Sequence, residues 1–303
     1  MTKYDLAVLG SINLDIMVTV GQYPAYGDTV LAKRIEMLPG GKGANQAVTA
    51  AKLGKRTAFI GVVGDDSAGR QMVENLVSYG IEDRFIQKTV AYGTGTFVPI
   101  VDSQGENTMV GTLGANQALN SDFVITCLDE IEADVLLLQM ETSAESILAA
   151  MKKAKEKGMT VILDPAPAER FDVEALQYAD IITPNVQETY SITGICVTDI
   201  DTAIEVAKKL ESMGVKKSII KMGSEGNVLY QDGQVVVIPA LSVKAQNTVG
   251  AGDTFVAALA CAYSSSPDLE KAVQYGNIAA ELKVSRAGGQ NGIPTHEEIE
   301  AYY

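Results

Sequence analysis

The 303 residues carry 24 Lys and Arg against 38 Asp and Glu, a formal net charge of -14. Such a field disfavours nucleic acid and anionic membrane surfaces, so a phosphate ligand must be held by local backbone donors and a metal. The length suits one large core or two modest domains, and no run approaches a membrane span.

Short apolar runs alternate with helical patterns. Tyr4–Gly10, Thr57–Val63, Val135–Gln139, Thr160–Leu163, Ile181–Thr183 and Ser218–Met222 read as strands buried on both faces. Leu6 to Val20 is interrupted by Asn13 and Asp15 and lacks a cleavage site, so it is a first strand and its extension, not a signal peptide. Helices are expected at Ala44–Leu53, Ala68–Tyr79, Ala144–Lys157 and Thr202–Met213, closed by Gly54, Gly80, Gly158 and Gly214. The alternation predicts an α/β fold, a mainly parallel sheet with helices on both faces and binding residues at the strands' carboxyl ends.

Two segments break the pattern. Ile16–Ile35 and Val90–Thr112 read as short antiparallel strands, with a turn at Ser103-Gln104-Gly105. They predict a small β-sheet lid, inserted at about residues 11–37 and 90–115 of a single domain spanning 1–303. A hairpin is expected at Val228–Tyr230 and Val235–Ile238 around Asp232-Gly233. His296 is the chain's one histidine, expected at the surface and given no role. Cys127, Cys196 and Cys261 are scattered, give no zinc signature and fit a reducing cytoplasm.

Asn247-Thr-Val-Gly250-Ala251-Gly252-Asp253-Thr-Phe255 leads into an apolar run, Phe255 to Tyr263, that reads as a buried helix. Free N–H groups at such a helix start suit an anion. An acid there repels that anion unless it has a task, such as taking a proton from a hydroxyl while a phosphoryl group migrates. The plainer reading is an acidic N-cap after a glycine turn.

Gly40-Gly41-Lys42-Gly43-Ala44-Asn45 is a flexible loop or a close backbone approach to a polyol. Asn13 and Asp15, one residue apart in an extended segment, point the same way and suit sugar hydroxyls or an Asx turn. Asn185 and Glu188 share a helical face and suit a Mg²⁺ shell. Gly223, Ser224 and Gly226 form a turn or a loop under a nucleotide. No G-x-x-x-x-G-K-[ST] and no G-x-G-x-x-G occurs, so P-loop and dinucleotide-binding readings fail.

Gly10-Ser-Ile-Asn-Leu-Asp15, Gly40 to Ala47, Asp164-Pro-Ala-Pro-Ala168, Thr183-Pro-Asn-x-x-Glu188 and Gly250 to Asp253 occur together and in order. By these motifs, from Leu6 to about Pro294, the chain resembles the ribokinase-like (PfkB-type) carbohydrate kinases. The resemblance implies a three-layer α/β/α body with a β-sheet lid that often makes a dimer contact. It implies transfer of the ATP γ-phosphoryl group to a sugar hydroxymethyl group, with Asp253 as base and Gly250, Ala251 and Gly252 as anion hole. Asn13, Asp15, Gly41, Lys42, Asn45 and Glu141 are implied to hold the sugar. Asn185, Lys221, Gly223, Ser224, Gly226 and Asn277 would contact ATP, and Glu188 the Mg²⁺ shell. An activating K⁺ is implied near Asn247, Val249, Val284, Ala287 and Gly289. Where the family's ribokinases usually have aspartate, this chain has Asn247, which removes a full charge, so K⁺ is expected to bind weakly. Val90–Gly114 and Ser11–Ala32 contain no Lys or Arg. That favours a neutral substrate, ribose first, then deoxyribose, another pentose or hexose, or a nucleoside. A non-catalytic sugar- or nucleotide-binding regulator would be marked by loss of Asp253.

Overall fold

The computed structural model describes residues 2–303 apart from 105, 242 and 244, and at position 170 the backbone alone. Two sheets organise it. The larger has nine strands in the spatial order Gln234–Ile238, Asn227–Gln231, Lys217–Lys221, Ile181–Ile182, Thr160–Leu163, Val135–Leu138, Leu6–Leu9, Thr57–Gly64 and Ile86–Thr89. Pairing is parallel from Lys217–Lys221 to Ile86–Thr89; the terminal hairpin is antiparallel. Leu6–Leu9 and Val135–Leu138 are buried throughout, as unbroken apolar runs in a doubly covered sheet require. One core lies on each face. One is built around helices Lys42–Lys52, Ala251–Ser265 and Leu269–Val284, the other around Ser121–Glu130, Ala144–Glu156 and Ile200–Ser212.

The chain reverses its direction of sheet growth between Leu6–Leu9 and its neighbour Val135–Leu138. Strand order makes the crevice past those carboxyl ends the default ligand site. Gly10 to Asn13 leave one end and Gln139 to Glu141 the other. Backbones crowd there: a Cβ on Gly43 would stand 2.5 Å from Gly10, and one on Gly41, whose φ is 94°, would stand 2.7 Å from the Ser11 carbonyl. Only glycine allows that approach.

The smaller sheet has the order Arg34–Gly40, Asn13–Thr19, Gly95–Val101, Asn107–Thr112. It is mixed, not purely antiparallel: Asn13–Thr19 and Gly95–Val101 run parallel because they come from separate insertions rather than from one hairpin. Its second strand reaches Gly40, beyond the expected edge at 37. Gly105 of the expected turn lies outside the described residues. Of the helix Val186–Thr193 only the first turn, at Asn185 to Glu188, was anticipated, and helices Ser121–Glu130, Leu269–Val284 and His296–Glu300 were not. Exposed His296 is the first residue of the last of these, and its Nδ1 lies 2.8 Å from the Tyr275 hydroxyl. Among the described residues no helix is long and apolar enough to cross a membrane.

Candidate active site

Asp253 sits in the first turn of the helix Ala251–Ser265, whose N-cap Gly250 has a left-handed φ of 76°. That turn lets the chain reverse and aim the helix start at the crevice. The Asp253 carboxylate is buried, at 7 % exposure. Asn45 Nδ2 donates to its Oδ2 at 3.0 Å, and Lys42 Nζ lies 4.0 Å from Oδ1. Burial raises its pKa, while Lys42 and Asn45 oppose the rise. The same carboxylate pushes the Lys42 ammonium above the usual lysine range. Lys42 therefore faces Asp253 as well as the region where it was expected to hold a sugar. Among the described residues the Ala251 N–H turns back to the Thr248 carbonyl at 3.2 Å, whereas the N–H groups of Gly252 and Asp253 have no acceptor in the chain.

The remaining residues expected to hold a sugar lie near Asp253. Asn13 and Asp15 lie on one face of their strand, as alternation requires. Asn13 Oδ1 accepts from Asn116 Nδ2 at 2.8 Å; Asn116 also donates to the Ile12 and Leu113 carbonyls and accepts from the Ile12 N–H. Asn116, in the short 3-10 helix Gly114–Ala118, was not singled out in the sequence, because a lone asparagine gives no signal. Asp15 is pushed up to about 6, first by burial and then by the charges of Glu141 and Asp253. Glu141 accepts from Ser11 Oγ at 2.6 Å, and burial raises it too. A Cβ on Gly40 would collide with the Asp15 carboxylate at 2.2 Å.

Asp164, 2 % exposed, is a further residue that the sequence reading left without a role. It follows the strand Thr160–Leu163, and its position at a carboxyl end was the available signal. It accepts from Lys221 Nζ at 3.0 Å and from Gln46 Nε2 at 3.1 Å.

A cleft of about 590 Å³ opens on the other side of the helix start. Ala251, Gly252, Lys221, Gly223, Ser224 and Asn277 line it, together with Val284. Phe255, Asn227, Thr248, Leu241 and Glu281 also line it and were not anticipated. Asn277 accepts from Asn227 and donates to the Pro239 carbonyl at 3.2 Å, so its amide is fixed. Gly226 does not line the cleft. Its φ of 90° and the 2.3 Å from a Cβ to the Ile238 carbonyl give it a structural reason, the entry to the terminal hairpin.

Asn185 and Glu188 form a reciprocal capping box. Asn185 Oδ1 accepts the N–H groups of Gln187 and Glu188, and Glu188 accepts both the N–H and the Nδ2 of Asn185. These bonds fix the Asn185 side chain at the start of its helix. Glu188 is buried; burial raises its pKa, the Lys221 ammonium opposes the rise and the Asp164 charge adds to it.

The monovalent-cation residues do not form an open ligand set. Asn247 Oδ1 accepts the Val249 N–H at 2.9 Å, and its Nδ2 donates to the Gly288 carbonyl at 3.1 Å. The Val284 carbonyl accepts the N–H groups of Gln246 and Asn247 at 2.8 and 3.1 Å. Ala287 is exposed, and the Gly289 carbonyl accepts the Gly292 N–H at 3.1 Å.

Two binding regions thus meet at one buried carboxylate beside a free helix start, the arrangement of a phosphotransferase acting on a hydroxyl. Residues 3–296 match the family model for pfkB family carbohydrate kinases. A ribokinase of Haemophilus influenzae is 35 % identical over 294 residues, 97 % of this chain and 96 % of that protein. A deoxyribokinase of Salmonella typhi is 32 % identical over 300 residues, 98 % of each chain. The Arabidopsis thaliana ribokinase solved with ribose and ATP superposes with a TM-score of 0.92 at 30 % identity, covering 99 % of this chain and 98 % of that one. The chain belongs to the pfkB family of carbohydrate kinases. It is an ATP-dependent sugar kinase of the ribokinase fold.

Proposed function

We propose that this kinase transfers the γ-phosphoryl group of ATP to the hydroxymethyl group of ribose, giving ribose 5-phosphate. The observation that carries the reading is the position of Asp253. Its carboxylate is bonded to Asn45 on the sugar side, while Ala251 and Gly252 of the same turn line the 590 Å³ cleft. Asp253 then takes the proton of the attacking hydroxyl, and the N–H groups at the helix start meet the charge on the migrating phosphoryl group. Asn13, Asp15, Asn45 and Glu141 orient the sugar, and the cleft takes the nucleotide.

The donor chemistry suits Mg²⁺ held through water. Glu188 and Asp164 are buried carboxylates beside Lys221, and both Glu188 oxygens already accept hydrogen bonds, which favours an outer-shell role. When bound, the ion screens the nucleotide phosphates.

A neutral sugar is favoured over a sugar phosphate. Asp15 and Glu141 place negative charge beside the sugar region, and Arg34 of the small sheet is exposed and paired with Glu36 at 2.7 Å. Deoxyribose is the second reading, motivated by the similarity to the Salmonella typhi enzyme. One hydroxyl more or less is decided by pocket geometry. We assign the small sheet, taken as residues 11–37 and 90–115 of a single 1–303 domain, the role of a lid that excludes water. Its face opposite Asn13 and Asp15 exposes Ile35, Met37 and Val110, a surface suited to a homodimer contact. A cytoplasmic setting fits the three free cysteines.

The test is ADP release over ribose, deoxyribose, fructose, fructose 6-phosphate and a nucleoside. Ribose should give the highest kcat/KM. A preference for fructose 6-phosphate would overturn the charge argument, and a preference for deoxyribose would move the assignment to the second reading.

A further inference from the structure

Lys283 lies one residue from the end of the helix Leu269–Val284 and is 1 % exposed, among the largest fully buried side chains in the protein. A lysine so placed needs a compensating partner. Among the described residues no carboxylate pairs with it; the charged neighbour it feels is Lys52, a like charge. Its Nζ instead donates to the carbonyl of Gly288 at 2.9 Å.

The stem of Lys283 joins two backbone segments. A Cβ on Gly292 would stand 3.4 Å from its Cδ, and one on Gly250 would stand 4.0 Å from its Cε. Gly250 is the N-cap of the helix carrying Asp253. The Gly288 carbonyl is shared, because Asn247 Nδ2 donates to it at 3.1 Å. Asn247 Oδ1 in turn fixes the Val249 N–H, one residue before Gly250. The same loop reaches the other side of the base, where Gln290 Nε2 donates to Asn45 Oδ1 at 3.1 Å. Asn45 is the residue that donates to Asp253.

The geometry points to Lys283 as a built-in cation that positions the Asn247–Gly250 turn, and with it the anion-binding helix start, without a bound K⁺. The proposal rests on the reading of Asp253 and the Gly250–Gly252 turn as the phosphoryl-transfer site. An ammonium and K⁺ carry the same charge and both bind carbonyl oxygen. Here the Gly288 carbonyl holds the ammonium, and the Val284 carbonyl is filled by two N–H donors. Asn247 supplies an amide, not a carboxylate. Of the ligand set that the resemblance implied, the Asn247 Oδ1 and the Val284 and Gly289 carbonyls therefore already accept N–H groups, which disfavours a monovalent ion there. Asn is also the compatible residue, because the turn needs both a donor to the Gly288 carbonyl and an acceptor for the Val249 N–H.

The experiment compares KCl, NaCl and tetramethylammonium chloride at constant ionic strength, reading kcat, KM for ATP and the thermal midpoint. The natural protein should give nearly the same values in all three salts. Lys283→Ala removes the cation and its stem; kcat should fall at least ~10-fold, the usual worth of a hydrogen bond to a charged group. KCl or ethylammonium chloride should restore part of that loss, and KCl should raise the midpoint of this variant alone, as ion binding to the folded state requires. Lys283→Met fills the space without charge; its kcat should stay low and neither cation should rescue it. Strong K⁺ activation of the natural protein overturns the proposal whatever the variants do. A Lys283→Ala variant with natural kcat overturns it, as does a lowered kcat and midpoint with no cation response. Absence of sugar phosphorylation by the natural protein in every salt would instead defeat the kinase reading, while the midpoint data still report on the cation.

Discussion

The two sides of Asp253 are built differently. On the side proposed to take the sugar, polar side chains are already bonded to one another: Ser11 to Glu141, Asn116 to Asn13, Asn45 to Asp253, Gln290 to Asn45. On the nucleotide side, the cleft walls include Ala240, Leu241, Ala251, Phe255, Ala280 and Val284, with few fixed polar groups such as Asn277. The first is preorganised and specific, and one altered group leaves a buried partner unpaired. The second grips mainly by shape and apolar contact, so the loss of any one group is diluted. Substitutions on the sugar side should therefore be severe and narrow, and those in the cleft mild.

The largest effect should come from Asp253→Asn, at the junction of the two regions. The fold and ATP binding should survive, and kcat should drop by ~10²–10⁴, the range for a general base. Because burial raises the Asp253 pKa, the base is lost to protonation as pH falls, and at a higher pH than for an exposed aspartate. The kcat profile of the natural protein should therefore decline on its acid limb, and the residual activity of the variant should lack that limb. A near-natural kcat in Asp253→Asn would remove this residue from the mechanism.

Asp15→Asn should separate function from stability. Burial and the neighbouring carboxylates push the folded carboxyl up to about 6 from an ordinary 3.8, so between those values the folded state binds the extra proton. Stability is therefore lost as pH rises through this window, and the full penalty applies above it. The variant should be more stable than the natural protein at pH 8, by roughly 1–3 kcal/mol. Below about pH 4 it should show no gain. Its KM for ribose should rise. Urea melts at pH 8 and pH 4 check the first claim; equal stabilities at pH 8 would show that Asp15 is not under strain.

The smallest effect should come from Asn277→Ala in the cleft. Loss of a partly satisfied amide costs roughly 1 kcal/mol, so KM for ATP should rise about fivefold with kcat nearly unchanged. A loss of kcat as large as that of Asp253→Asn would erase the contrast between the two regions.

Much of the large sheet was legible because a strand buried on both faces is a short unbroken apolar run; Val135–Leu138 and Thr160–Leu163 were read to within a residue. The helix Leu269–Val284 escaped because it is buried on more than one side and Glu270, Lys271, Gln274 and Glu281 interrupt any simple stripe. The parallel pairing of Asn13–Thr19 with Gly95–Val101 escaped because pairing between distant insertions leaves no local turn signal. Asn185 and Glu188 were correctly read as one unit, but spacing cannot tell a capping box from a ligand pair.

By itself the sequence determined the alternation of strands and helices, the glycine turn before Asp253 and the residue types of the sugar cluster. Those depend on local periodicity and on which backbone angles glycine allows. The tertiary structure decided which of these residues meet. It brought Asn45 onto Asp253 across 208 positions and Asp164 onto Lys221 across 57. It also buried Lys283, which in the sequence is one lysine among many on a polar-looking helix, against Gly250 and the Gly288 carbonyl. The physical reason is common to all three: desolvation and charge pairing depend on distance in space, and no local pattern records what a distant loop will cover.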